Sequence, residues 1–80
     1  MKMTKKEREI LTYLRDKDET MEVVKGEVWY GLNRTNFHML YKLLAKMWIA
    51  LEQTFAYDPE YETYLITESG KRALAEAEKS

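Results

Sequence analysis

Apolar residues first recur at helical spacing at Ile10, Leu11, Tyr13 and Leu14, behind Thr4 and Glu7, which stand three apart as a capping box. This pattern predicts a helix that ends in the polar, aperiodic cluster Asp16-Lys17-Asp18-Glu19. The stretch Thr20 to Tyr30 is ambiguous. Its Val23, Val24, Val28 and Trp29 are β-branched or aromatic, yet their spacing also fits one helix face, and Gly26 weakens either reading. We read it as a second helix. Gly31-Leu32-Asn33 then combines a residue tolerant of positive φ with an Asn suited to capping, so a tight turn between helices is expected there.

From Arg34 onward Phe37, Leu40, Tyr41, Leu44, Met47 and Trp48 recur at three and four, which predicts a third helix over about 34–47 lying on a core. Thr35, His38, Lys42 and Lys46 occupy its other, outward face. The apolar and β-branched residues of Ile49 to Tyr57 and of Tyr61 to Thr67 suit two strands, with Asp58-Pro59-Glu60 as the turn of a β-hairpin. Thr67 caps a last helix with Glu68 in its first turn and Ala73, Leu74 and Ala77 on its apolar face.

Eighty residues, 45% hydrophobic and 34% charged, make one soluble domain over 1–80 with a single core and a thin stability margin, which a homodimer would improve. The absence of cysteine removes disulfide, thiolate-nucleophile and thiolate-zinc chemistry. The charged N-terminus has no apolar stretch of the kind a signal peptide carries, and no run reaches the roughly 18 apolar residues of a membrane span, so a cytoplasmic address is expected.

Net charge is −1, but its distribution is uneven. No acid stands between Glu27 and Glu52, where Arg34, Lys42 and Lys46 lie; beyond that gap Glu52, Asp58, Glu60, Glu62, Glu68, Glu76 and Glu78 outnumber Lys71, Arg72 and Lys79. His38 is the only histidine, so a metal site would need an unusual number of carboxylates, and none is expected. Glu7 with Glu9, or Glu60 with Glu62, lie in solvated charge-rich stretches without a nucleophile, and neither pair suggests an enzyme. Trp29, Trp48, Tyr41 and Phe55 read as core more readily than as a stacking platform for single strands.

Two strings carry a resemblance. Gly31-Leu32-Asn33-Arg34-Thr35-Asn36-Phe37 resembles the turn that opens the recognition helix in many bacterial and archaeal repressors. Tyr64-Leu65-Ile66-Thr67-Glu68-Ser69-Gly70-Lys71-Arg72-Ala73-Leu74 is similar to the string that ends the wing and starts the next helix in PadR-like and MarR-like regulators. With the order of elements, the resemblance to the winged helix-turn-helix superfamily spans roughly Glu7 to Glu78. It implies an α+β, mainly α fold of three helices, a β-hairpin wing and a C-terminal helix. Two departures stand out: Met47 replaces a glycine usual before the first wing strand, so the exit from the third helix should differ, and the wing carries Asp58 and Glu60 where a basic residue is common.

The resemblance implies a prokaryotic transcription regulator, such as a repressor, whose third helix enters the major groove of double-stranded DNA. Asn33, Arg34, Thr35, Asn36, His38, Lys42 and Lys46 would be its DNA-binding residues, Arg34 through a guanine edge or phosphate, Asn36 through adenine, and Lys42 and Lys46 through phosphates. The bland readings are an exposed Arg, a helix-start Asn bonded to backbone and an ordinary wet helix face. The alternative is a winged-helix protein-interaction module whose acidic wing and C-terminal helix meet a basic partner. No cofactor is expected, and an effector, if there is one, would have to bind between protomers.

Overall fold

The computed structural model describes residues 2–55 and 58–79, with the backbone alone at 54, 55 and 58–60. Its elements run α1 (Lys5–Lys17), β1 (Met21–Val24), β2 (Glu27–Tyr30), β3 (Asn33–Thr35), α2 (Phe37–Ala45), β4 (Ile49–Phe55), β5 (Asp58–Ile66) and α3 (Glu68–Glu78). The strands form one antiparallel sheet in the order β3-β2-β1-β5-β4. This overturns the mainly helical winged helix-turn-helix expected above: the strands organise the topology, and the described residues contain three helices in all.

The correction lies at Thr20 to Tyr30. Val24 pairs with Glu27 across Lys25 and Gly26, which both have positive φ, the geometry of a two-residue type I′ hairpin turn. Once that turn forms, Met21, Val23, Val28 and Tyr30 alternate inward and are buried, while Glu22 and Trp29 face the other way. The inward set gains its cover from α1, whose Ile10, Leu11 and Leu14 join the same core. Gly31-Leu32-Asn33 is consequently a strand-to-strand turn rather than an inter-helix one, with Tyr30 paired to Asn33 across a two-residue loop. Gly31 takes φ +64 there, and a side chain at that position would collide with Tyr13.

The helix expected over about 34–47 is shorter at both ends. Arg34 and Thr35 belong to β3, and the N-cap is Asn36, whose side chain accepts from Met39 N at 2.8 Å. At the far end Trp48 N donates to Leu43 O and Met47 N to Leu44 O, the paired bonds of a Schellman motif with Met47 as its left-handed residue, φ 62. Glycine is usual at that position. The departure in sequence is therefore not a departure in backbone: the chain makes the left-handed exit with a methionine, against the steric cost of a Cβ.

The last three elements follow expectation, apart from the hairpin tip. β4 and β5 pair from Ile49 with Ile66 to Phe55 with Asp58, so Asp58-Pro59-Glu60 begins β5 rather than forming the expected turn; residues 56 and 57 lie outside the described residues. A bulge at Glu52 shifts the register between Leu51 and Gln53. Thr67 caps α3 by accepting from Gly70 N at 2.9 Å and donates its own hydroxyl to Met47 O at 2.7 Å, which ties α3 to the α2–β4 junction. Gly70 itself lies against the carbonyl of Trp48.

The buried apolar strand residues and the helices share one face of the sheet. The opposite face carries Arg34, Trp29, Glu22, Thr63 and Gln53 in one cross-strand row and lacks a helix among the described residues. Under the helices, Glu7 is fully buried: it accepts Thr4 N at 2.8 Å, completing the capping box, and Lys46 Nζ at 2.6 Å. Burial pushes its carboxyl up, but the Lys46 ammonium and the two Thr4 donors outweigh that and hold it below the ordinary range.

Candidate functional site

Seven of the nine residues of α2 are apolar (Phe37, Met39, Leu40, Tyr41, Leu43, Leu44 and Ala45), more than one helix face can bury. Leu40 and Leu43 reach the core, and Phe37, Met39 and Leu44 pack partly against it. The surplus is turned outward. Tyr41 is 59% exposed, and the outward face of α2 consists of His38, Tyr41 and Ala45 with the half-buried Lys42.

Tyr41 is held by its neighbours rather than by the core. Its ring lies 5.7 Å from that of Phe37, one turn earlier, with the planes tilted by 36°. On the adjoining hairpin, Leu51 is 51% exposed and pairs with Tyr64, on the side of the sheet that α2 covers. Tyr64 donates to Glu62 at 3.0 Å, and burial first, then that carboxylate, push its hydroxyl up to about 12, so it stays a protonated donor at neutral pH. Tyr64 links the two exposed side chains: it pairs with Leu51 across the hairpin and feels the field of Tyr41, so Phe37, Tyr41 and Leu51 leave apolar surface around it, with His38 and Lys42 on the helix and Glu62 on the hairpin.

The seven residues expected to read DNA do not share one surface. Asn36 is committed to its cap, with its oxygen on Met39 N. Arg34 projects from the helix-free face of the sheet, 3.4 Å from Glu27, while Asn33 and Thr35 point to the opposite side of the same short strand. Asn33 donates to the carbonyl of Tyr30 at 3.4 Å. Lys46 turns inward to Glu7, its Nζ 4.7 Å from the centroid of the Trp48 ring. His38 and Lys42 remain on the outward face of α2.

Sequence reading missed Tyr41 and Leu51 as surface residues, assigning one to a helical core stripe and the other to a strand interior. The apolar excess of α2 was the available signal for Tyr41. No comparable signal existed for Leu51, one apolar residue among several in its strand. The acidic tip weighed for the alternative reading has its Asp58 and Glu60 side chains outside the described residues.

The described residues hold no cluster of three or more His, Cys, Asp or Glu able to bind a metal, and no helix among them is long and apolar enough to cross a membrane. Compared with known protein families, curated proteins and solved structures, the chain matches none.

Proposed function

We propose that this chain is a protein-docking module that receives a partner segment on the outward face of α2 and the adjoining Leu51 of β4. The observation that carries the reading is the apolar surface itself: Tyr41, packed against Phe37, and Leu51 are both more than half exposed around Tyr64, in a chain small enough that every large apolar side chain left in water weakens it. Tyrosine suits such a role, since it brings contact area with few rotors to order.

Charge selects the partner's chemistry. The helix side of the patch offers His38 and Lys42 and no carboxylate, while Glu62 lies on the hairpin side, so the fitting occupant is a segment that sets an acidic side chain against α2 and apolar ones against Tyr41 and Leu51. A second copy of this chain fits the helix side less well, because its own α2 brings no carboxylate to meet Lys42. Double-stranded DNA is the competing occupant. With Arg34 on the other face of the sheet, Asn36 capping its helix and Lys46 turned toward Glu7, α2 would bring one permanent cation and a histidine to the phosphates, and counterion release from about one contact supports little affinity at physiological salt.

Selection of a random twelve-residue peptide display library on the folded protein tests this. Enriched peptides should pair Asp or Glu with Leu, Phe or Trp, shift the backbone amides of residues 37–45 and 49–53, and lose binding with Tyr41→Ala or Leu51→Ala. Peptides that shift other surfaces, or that bind both variants equally, sink the proposal. So does tight binding of labelled duplex DNA that is abolished by His38→Ala with Lys42→Ala, which would restore the regulator reading. A concentration-dependent dimer abolished by Tyr41→Ala would assign the patch to a second copy instead.

A further inference from the structure

A second feature lies away from the docking patch. A cleft of about 600 Å³ opens between the start of α1, the apolar face of α3 and the α2–β4 junction, lined by Lys2, Met3, Arg8, Lys46, Trp48, Ala73, Glu76 and Ala77. That volume falls in the range of small-molecule sites.

Its lining is divided in a way that specifies a ligand. One part of the lining is apolar: Met3, and Ala73 with Ala77, four apart on α3, whose small side chains leave the space open, while Trp48, 6% exposed, lies beneath Lys46. The other carries three cations. Lys46 is oriented by Glu7 at 2.6 Å and by the Trp48 ring beneath it, and an ammonium has three protons, so the bond to Glu7 leaves donors to spare. Among the described residues, no carboxylate lies within ion-pair distance of Lys2 or Arg8. Of the acids nearby, Glu7 is buried under Lys46, and Glu76, itself part of the lining, lies 3.8 Å from Lys79 in an exposed pair. Glu78, further along α3, is held bidentately by Arg15 and only feels the field of Arg8.

We infer that this cleft binds a small organic anion, an aryl or similarly flat apolar body bearing a phosphate or carboxylate, with the body against Met3, Ala73 and Ala77 and the anionic group between Lys2, Arg8 and Lys46, directly above Trp48. A single protomer contains the whole site, in contrast to the expectation that an effector would need two.

Phenyl phosphate is the probe, and the Trp29→Phe variant makes Trp48 the sole indole. Its emission, excited at the red edge of the indole band, should change saturably, with a dissociation constant in the low millimolar range or tighter, as the size of the ligand suggests. Lys2→Gln with Arg8→Gln should weaken binding about tenfold, the combined worth of two exposed charge contacts. Ala77→Leu should abolish it by filling the cleft with charges intact; unchanged circular dichroism certifies both variants as folded. Phenol and inorganic phosphate should each bind more weakly than the compound that joins them. Absence of a saturable change, equal binding of phenol, or equal binding by the double glutamine variant overturns the inference. Benzoate against phenyl phosphate then decides which anion the cations prefer.

Discussion

Replacing Glu7 by Gln tests the most consequential contact inside the domain. The two side chains have the same shape, and a Gln carbonyl can still accept Thr4 N–H, so the capping box survives and the change isolates the charge. Breaking a buried ion pair by neutralising one partner costs about 3–5 kcal/mol, because the other charge is left without compensation. Here the stranded group is Lys46, whose side chain keeps 19% of its exposure and a flexible stem by which to reach water. The expected loss is therefore smaller, about 2–3 kcal/mol, still a large part of the roughly 5–15 kcal/mol that holds a small domain together.

Urea unfolding followed by circular dichroism measures it, with the slope unchanged and the midpoint lowered. The double variant Glu7→Gln with Lys46→Met, which leaves no charge to strand, should recover at least about half of the loss. Acid provides an independent check. Because Glu7 titrates below its ordinary value near 4.5 in the folded protein, its contribution is present above that value and disappears as pH falls through the lower folded one. Wild type and Glu7→Gln should converge in stability over that acid window and separate above it. A Glu7→Gln protein within about 0.5 kcal/mol of wild type at neutral pH, or a double variant no better than the single, would refute the assignment of this pair as a structural lock.

Three further substitutions probe backbone and polar satisfaction. Gly70→Ala should destabilise by about 1–3 kcal/mol in thermal or urea unfolding, because the new methyl meets the carbonyl of Trp48; the opposite sign, ordinary for a helical glycine, would mean that α3 can move away. Met47→Gly should raise stability by about 0.5–1 kcal/mol, relieving the left-handed backbone at φ 62 while losing little burial from a side chain 72% exposed; an unchanged midpoint argues against strain there. Thr63→Val should stabilise by about 1 kcal/mol, since the Thr63 hydroxyl is buried without a partner among the described residues; destabilisation would reveal a partner for it.

Much of the architecture is written locally. The Thr4–Glu7 box, the Thr67 cap and the alternation on either side of the last hairpin are each settled within a few residues, and each forms where the sequence places it. The Lys25–Gly26 turn was also local, but Lys-Gly is a weaker hairpin signal than Asn-Gly, and the valines around it fit a helix face as well as a strand. What made them strands is distant: Met21 to Val24 pair with Tyr61 to Tyr64, some forty residues along the chain, and no local pattern contains that partner. The mainly helical fold expected from the resemblance failed at the same place, because a strand-to-helix string such as Tyr64 to Leu74 says only that a hairpin feeds a capped helix and nothing about Thr20 to Tyr30.

The candidate site divides along the same line. Sequence alone determined which residues carry charge, that α2 is a helix with more apolar surface than one face can hide, and that thiolate chemistry is excluded. Only the tertiary structure decided which way those side chains turned. Lys46 went inward because a buried carboxylate at Glu7 needed a cation, Asn36 was consumed by the helix it starts, and Arg34 was carried to the far face by strand alternation. Tyr41 and Leu51 were left in water because the core beneath α2 was already filled by Leu40 and Leu43. Direction depends on what lies opposite, and for each of these residues what lies opposite comes from another part of the chain.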